Sequence, residues 1–200
     1  MKTQVEIGGK SYPLYTFNTL VVGSGAAGLN AAVQLVKHGQ ADIALLTEGI
    51  NMGTSRNTGS DKQTYYKLST AGNTPDSIGE MAERYFSGGA MHGDLALSEA
   101  ANSPRCFYHL VEQGLPFPKN EYGEYVGYRT DHDNTFRATS CGPLTSKLMT
   151  EALEAEVREQ NIPIFDGFRV VHIIRNDQKV LGFLAIDKSK QTQPDRKSVV

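Results

Sequence analysis

The 200 residues can bury the core of a domain, and 20 basic against 22 acidic side chains give a formal net charge of −2. This near balance argues against the strongly basic surface that binds nucleic acid, so no nucleic-acid partner is predicted. The two cysteines, Cys106 and Cys141, form no CxxC pair, which disfavours a disulfide framework and a zinc site and indicates free thiols in a reducing compartment.

Residues 1–17 alternate polar and apolar side chains and are interpreted as an N-terminal extension. They contain no hydrophobic stretch of the kind that signal peptides have. No apolar run elsewhere reaches the length that spans a bilayer. The sequence therefore predicts a soluble, cytoplasmic protein without a transmembrane segment, which could still lie at a membrane through a partner.

The first motif is a strand, a glycine turn and a helix. The β-branched run Leu20-Val21-Val22 leads into a Gly-x-Gly-x-x-Gly turn, and the helix that follows keeps apolar residues at helical spacing until Gly39. A second apolar strand over residues 43–47 leads to Glu48, which lies 20 residues after Gly28. This order is typical of a dinucleotide-binding βαβ unit.

Each part of this unit has a physical role in holding a diphosphate. Gly23 makes the tight turn, Gly25 lets the backbone approach the pyrophosphate, and Gly28 lets helix and strand pack closely. The helix N-terminus offers N–H groups and a partial positive charge, and Glu48 would accept hydrogen bonds from a ribose. The motif alone does not distinguish FAD from NAD. The predicted contacts in this unit are Gly23, Ser24, Gly25, Ala26, Ala27, Gly28, Thr47 and Glu48.

Residues 49–73 are polar, irregular and rich in glycine, which is too long a segment for a routine connector. In a dinucleotide fold the segment after the second strand often lies across the ligand, and loops on a rigid scaffold commonly carry function. A solvated surface loop is the alternative. The residues predicted to contact the cofactor here are Thr54, Ser55, Asn57, Thr58 and Gly59.

Helical signals follow this loop. The run 74–76, Thr-Pro-Asp, predicts a capped helix start, and Asp94 predicts a second start. Ser103-Pro104 predicts that a third helix begins there and ends at Gly114. The run Asp-His-Asp at 131–133 could suggest a metal, but adjacent side chains rarely converge on one ion, so no metal site is predicted.

The last third of the chain predicts a helix over residues 143–160 and then a β-hairpin. The predicted inward residues of the helix are Leu144, Leu148, Ala152 and Ala155. The hairpin is indicated by two alternating apolar runs on either side of a turn at 176–178. After a polar stretch, the run 198–200 is typical of a strand that has just begun. We therefore expect the chain to be the first part of a longer polypeptide.

The ordered set of motifs resembles the flavoprotein family of succinate dehydrogenase, fumarate reductase and L-aspartate oxidase. The resemblance rests on the glycine turn with Glu48, the loop 53–58, LVEQGLPF at 110–117 and KVLG at 179–182. It implies an α/β fold, a Rossmann-like FAD-binding domain with a parallel sheet, a helical insertion and a β-meander. It also implies that this domain, over 18–200, is incomplete, and that a cap domain and final segments lie beyond residue 200.

The resemblance implies FAD as cofactor, with its pyrophosphate over the glycine turn, the loop 54–60 beside the flavin and the backbone near Val170 against the adenine. Some members attach FAD through a histidine in the loop after the second strand. This loop contains no histidine, so we expect non-covalent FAD.

The activity implied is that of an FAD-dependent oxidoreductase, with hydride transfer between flavin N5 and a small (di)carboxylate. A small-molecule substrate and an electron-transfer partner or subunit are the expected partners. The family's substrate-binding residues fall in segments beyond residue 200, so no catalytic residue is assigned.

Two alternatives stay open. An NAD-dependent Rossmann dehydrogenase would need successive short βα units after Glu48, and the long polar loop and the predicted hairpin disfavour this. A non-catalytic dinucleotide-binding module would keep the fold without turnover.

Overall fold

The computed structural model describes residues 2–72, 74–190 and 197–199, and the chain divides into two compact units. Unit 1 comprises residues 1–57 and 153–200, and unit 2 comprises residues 58–152. None of the helices in these described ranges is long and apolar enough to cross a membrane.

The strands are β1 (Lys2–Ile7), β2 (Lys10–Tyr15), β3 (Thr19–Val22), β4 (Ile43–Thr47), β5 (Tyr65–Tyr66), β6 (Tyr128–Thr130), β7 (Asp133–Thr139), β8 (Ile164–Asp166), β9 (Phe168–Arg175), β10 (Val180–Asp187) and β11 (Lys197–Val199). The helices are α1 (Ala26–Lys37), α2 (Thr54–Asn57), α3 (Ile78–Ser87), α4 (Gly93–Glu112) and α5 (Thr145–Glu159), with a 3-10 turn at Lys188–Lys190.

A parallel three-stranded sheet, in the order β3-β4-β8, forms the centre of unit 1. All five residues of β4 are buried, as expected for an apolar strand in the middle of a parallel sheet. Helix α1 connects β3 to β4 and buries Leu29, Ala32 and Val33. The predicted strand–turn–helix–strand unit is therefore present, and β3 and β4 end at the same edge of the sheet because they are parallel.

A second sheet of unit 1 has the order β1-β2-β11-β10-β9. The predicted hairpin is formed by β9 and β10, which pair antiparallel. Residues 2–15, interpreted from sequence as an extension, form a hairpin whose second strand pairs with β11 at Leu14 and Val199. The strand expected near the end of the sequence is β11, and Val200 lies outside the described residues.

Unit 2 combines the α3–α4 pair with an antiparallel sheet in the order β5-β7-β6. One apolar cluster of this unit contains Phe107, Leu110, Leu115 and Phe117, with aromatic rings in edge and tilted contacts. A second cluster packs α3 on α4. Its buried members are Met81, Ala82, Ala96 and Ala100.

Two predicted helix starts in unit 2 are wrong. Helix α3 begins at Ile78 and is capped by Ser77: the Glu80 N–H donates to Ser77 Oγ at 3.1 Å, and Ser77 Oγ donates to the Glu80 carboxylate at 3.2 Å. Helix α4 is capped by Nδ1 of His92, which accepts from the Asp94 N–H at 3.3 Å. Asp94 therefore lies in the first turn, where its charge suits the helix dipole.

The predicted break at Pro104 is also wrong, because α4 is continuous through it. A proline cannot donate to the carbonyl four residues earlier, which here belongs to Ala100. The Ser103 hydroxyl donates to that carbonyl instead, at 2.9 Å. The side chain before the proline thus replaces the missing backbone hydrogen bond.

Helix α5 uses the predicted inward face only in part. Leu148 and Ala152 are half-buried, and Ala152 packs against the Phe107 cluster, but Leu144 and Ala155 are exposed. The buried residues of the helix are Thr145, Thr150, Leu153 and Val157. Apolar residues occur on both faces of this helix, so their spacing alone does not determine which face is buried.

Unit 2 contains a buried ion-pair network around Arg137. Its guanidinium donates to Asp76 at 2.5 and 2.9 Å and to Asp133 at 3.0 Å, and the Tyr66 hydroxyl lies 3.2 Å away. The exposed fractions of these side chains are 2% for Arg137, 1% for Asp76 and 5% for Asp133. The carboxylate of Asp133, which lies in the Asp-His-Asp run, therefore serves as an arginine partner.

The ionised form of Asp76 is stabilised by its partners. Burial raises the pKa of this carboxyl, but hydrogen bonds from Arg137 and from the backbone N–H groups of Ser69 and Ser77 outweigh that effect and hold the pKa below its usual 3.8. A folded-state pKa below the unfolded value gives a stabilisation that is present above pH 3.8 and is lost as the pH falls through the folded pKa.

We predict that Asp76→Asn lowers the free energy of unfolding at pH 7 by about 3 kcal/mol, because removing one partner of a buried pair leaves the other charge poorly compensated. Chemical unfolding followed by circular dichroism measures the change. The difference from wild type should shrink as the pH falls below 3.8. Asp131→Asn, at an exposed position, is the control, and an equal loss in both variants would contradict the network's role.

Candidate functional site

A pocket of about 380 Å³ opens in unit 1 where β3 and β4 end, a size within the range of small-molecule sites. Polar backbone from the glycine turn and apolar side chains from other segments line it together. The lining residues are Val22, Gly23, Ser24, Gly25, Leu46, Thr47, Glu48, Gly49, Met52, Gly53, Phe168 and Val170.

The glycine turn brings the N-terminus of α1 to this pocket. Gly23 has a φ of 108°, a conformation that favours glycine, and its N–H donates to the Leu46 carbonyl at 2.8 Å. Gly25 is the N-cap of α1 and supplies no side-chain cap. The first-turn N–H groups therefore have no side-chain cap at their end of the helix, which is the arrangement that binds an anion.

The space beside the turn differs sharply between two of its glycines. A Cβ added at Gly25 would meet no atom within 4 Å. A Cβ added at Gly28 would lie 2.0 Å from the Gly23 carbonyl oxygen and 3.7 Å from Val21. Gly28 is thus required by helix–strand packing, and Gly25 leaves room where a ligand could approach the backbone.

The side chains of Ser24 and Thr47 bind each other. Their hydroxyls are 2.8 Å apart and buried, and each lies 3.3 Å from the Gly49 carbonyl. These two residues were predicted to contact the cofactor. Because their hydroxyls connect the turn to the end of β4, the groups they can offer a ligand are mainly backbone groups.

Glu48 lies at the pocket rim beside two cations. Its Oε2 is 3.0 Å from Nη2 of Arg169 and 3.5 Å from Nζ of Lys188. The hydrogen bond from Arg169, aided by the charges of both cations, holds the pKa of Glu48 below its usual value. Sequence reasoning missed both partners, since nothing local marks a residue that meets Glu48 only through the β9–β10 hairpin.

The other residues predicted to contact the cofactor lie in the pocket, in α1 and in the loop after β4. Val170 lines the pocket beside Phe168, which the sequence analysis did not name. Ala26 and Ala27 lie in the first turn of α1.

Thr54, Ser55 and Asn57 lie in the short helix α2, which follows Gly53 of the pocket lining. The Asn57 amide donates to the carbonyls of Asn51, at 2.8 Å, and Gly53, at 3.0 Å, so it closes its own loop.

Thr58 and Gly59 belong to unit 2, where an added Cβ at Gly59 would lie 3.1 Å from the Pro143 carbonyl oxygen. They are not among the residues that line the pocket, and their contact with a cofactor stays a prediction. Within the described residues, no group of three or more His, Cys, Asp or Glu side chains could hold a metal ion.

We predict that Gly28→Ala destabilises the protein by about 1–3 kcal/mol, because the new methyl group overlaps the Gly23 carbonyl and forces helix and strand apart. Gly25→Ala is the matched control, since its methyl group enters open space. Thermal unfolding of the two variants measures the difference. Equal unfolding temperatures would contradict the close packing at Gly28.

Comparison with known proteins agrees with this geometry. The sequence model of the FAD binding domain family matches residues 18–200. No curated protein matches the sequence.

Solved structures share the fold at low sequence identity. E. coli quinol fumarate reductase FrdA has a TM-score of 0.75 and 20% identity, over 87% of this chain and 30% of its own. Mycobacterium smegmatis Sdh1 in complex with UQ1 has a TM-score of 0.73 and 19% identity, over 86% and 30%. A flavocytochrome c3 fumarate reductase has a TM-score of 0.70 and 20% identity, over 92% and 31%.

The chain thus spans about 30% of the length of the first two structures, and the likeness to them concerns the fold. The family match extends over most of the chain, so the predicted family, α/β fold class and cofactor are confirmed. This chain belongs to the FAD binding domain family, with the fold of the N-terminal FAD-binding part of fumarate reductase and succinate dehydrogenase flavoproteins.

Proposed function

We propose that this chain is the FAD-binding portion of a flavin-dependent oxidoreductase of the fumarate reductase and succinate dehydrogenase type. The observation that carries the proposal is that an uncapped helix N-terminus and a carboxylate line the same pocket of unit 1. These two groups suit the two polar parts of an adenosine diphosphate moiety, the diphosphate and the ribose.

The residues of the pocket fit FAD by their chemistry. The backbone of the glycine turn would hold the diphosphate, and Glu48 would accept hydrogen bonds from the ribose. Phe168, Val170 and Met52 supply apolar surface in the same pocket, which suits a flat aromatic base. The chain's own contribution is therefore binding and orientation, whereas bound FAD supplies the redox chemistry, hydride transfer at flavin N5.

We propose that FAD is held non-covalently. The support is that residues 49–73, the loop where some related flavoproteins carry an attachment histidine, contain no histidine. Thr54, Ser55, Asn57, Thr58 and Gly59 are proposed to lie beside the flavin in the bound state.

The proposed substrate is a small dicarboxylate or a related acid, by fold likeness to fumarate reductases. The proposal includes a catalytic centre completed by polypeptide outside these 200 residues, and an electron-transfer partner or subunit. A quinol-fumarate reductase with menaquinol shares the fold, which supports such a partner. A cytoplasmic location, peripheral to a membrane through the partner, is supported by two cysteines without a disulfide.

An absorbance spectrum of the purified, FAD-treated and desalted protein tests the proposal. A flavin band at about 450 nm that persists after desalting supports it. Acid precipitation then tests the mode of attachment, because non-covalent FAD passes into the supernatant. A colourless protein that binds NADH would favour the nicotinamide alternative, and a colourless protein that binds neither would favour a non-catalytic module.

We predict that Gly25→Val abolishes FAD uptake and leaves the fold intact. Gly25 has a φ of −74°, which any residue can adopt, and its added Cβ meets no protein atom within 4 Å. The valine side chain would therefore occupy only the space proposed for the pyrophosphate. Circular dichroism checks the fold and the flavin band checks uptake. A folded variant that retains FAD would contradict the placement of the diphosphate.

We predict that Glu48→Gln weakens FAD binding by about tenfold, because the ribose hydroxyls lose a charged acceptor. The variant should fold normally, since Glu48 is partly exposed and its ion pairs lie at the surface. Fluorescence titration with FAD measures the affinity. Glu6→Gln on β1 is the control for removal of an exposed carboxylate, and equal affinity in all three proteins would rule out a role for Glu48.

A further inference from the structure

The two cations beside Glu48 make their closest contacts with the same carboxylate oxygen. Arg169 and Lys188 both approach Oε2, at 3.0 and 3.5 Å. Oε1 is the more distant carboxylate oxygen from both cations. One oxygen is therefore fixed by the protein, and the other can accept a hydrogen bond from a ligand.

The backbone brings both cations to this point. Arg169 lies in β9 and Lys188 directly follows β10, the partner strand of the same hairpin. The Lys188 N–H donates to the Gly167 carbonyl at 2.8 Å, which fixes the end of the hairpin. Strand β8 ends just before Gly167 and pairs in parallel with β4, which ends just before Glu48. The three charges thus meet where two sheets of unit 1 adjoin.

The ion pairs themselves contribute little to folding. Glu48 and Arg169 have exposed side-chain fractions of 39% and 52%, and ion pairs at such exposure are weak because water and salt screen them. They matter more for ligand binding, because a ligand that excludes part of this water strengthens the electrostatic interactions around Glu48.

The charges also bear on diphosphate binding. Glu48 lines the same pocket as the glycine turn, so its negative charge repels a bound diphosphate. Two cations against one anion change the local sum from −1 to +1. The two cations thus offset the repulsion between the Glu48 carboxylate and an anion at the glycine turn.

We propose that Arg169 and Lys188 are positioning residues of the cofactor site, which hold Oε2 of Glu48 so that Oε1 accepts a hydroxyl of the adenosine ribose. They also offset the repulsion between that carboxylate and the diphosphate. This inference rests on the proposed binding of FAD. Arg169 makes the shorter contact and has the larger effect of the two.

A double-mutant cycle on the purified protein tests whether Arg169 acts through Glu48. FAD dissociation constants are measured by fluorescence titration for wild type, Arg169→Gln, Glu48→Gln and the double variant. Arg169→Gln alone should weaken FAD binding by roughly threefold to tenfold, the effect of one modest hydrogen bond. In the Glu48→Gln background the same change should have little effect, because the carboxylate that Arg169 positions is gone.

A pair of ligands isolates the ribose contact. Wild type should bind ADP more tightly than 2′,3′-dideoxy-ADP, and Arg169→Gln should reduce that preference. Lys188→Gln should act in the same direction but less strongly. Arg175→Gln, an exposed arginine at the other end of β9, is the matched control and should leave both affinities unchanged.

Distinct outcomes separate this inference from the function on which it rests. If wild type binds FAD but Arg169→Gln changes neither FAD affinity nor ribose preference, the positioning role is overturned and the FAD function stands. An equal loss in the wild-type and Glu48→Gln backgrounds also overturns it, since Arg169 would then contact the ligand directly. If wild type fails to bind FAD and ADP, both proposals are overturned together.

Discussion

The site of unit 1 depends on one steric constraint, the approach of α1 to the Gly23 carbonyl at Gly28. No side chain fits there, because a Cβ would lie 2.0 Å from the carbonyl oxygen. This contact sets where the helix begins relative to the end of β3. Since β3 and β4 are parallel, the same edge of the sheet carries both the N-terminus of α1 and Glu48. The helix N-terminus and the carboxylate that are proposed to bind the diphosphate and the ribose are neighbours for this geometric reason.

The elements encoded by contiguous residues could be predicted from the sequence. The glycine turn, α1, β4 and the β9–β10 hairpin each follow from local spacing and turn chemistry. The pocket residues that are distant in sequence from the glycine turn could not be predicted in this way. Phe168, Arg169 and Lys188 reach the site through strand register between β4, β8 and β9, and register is fixed by tertiary packing that no short segment reveals.

The errors in unit 2 have a common cause, which is that several residues could serve the same local role. Thr74 before Pro75 is a good helix start by residue type, yet Ser77 caps α3 and Asp76 binds Arg137 in a buried network. Pro104 would usually break a helix, yet the Ser103 hydroxyl satisfies the carbonyl that the proline leaves open. In each case a side-chain hydrogen bond determines where the helix begins or whether it continues, and residue propensity alone does not distinguish these outcomes.

The hydroxyl pair of Ser24 and Thr47 has a consequence for the timing of recognition. Because it fastens the glycine turn to β4 through the chain's own side chains, contacts formed on folding order that turn. A turn ordered in this way loses less conformational entropy when a dinucleotide binds, so substitutions that keep the hydroxyl pair should change the dissociation rate more than the association rate.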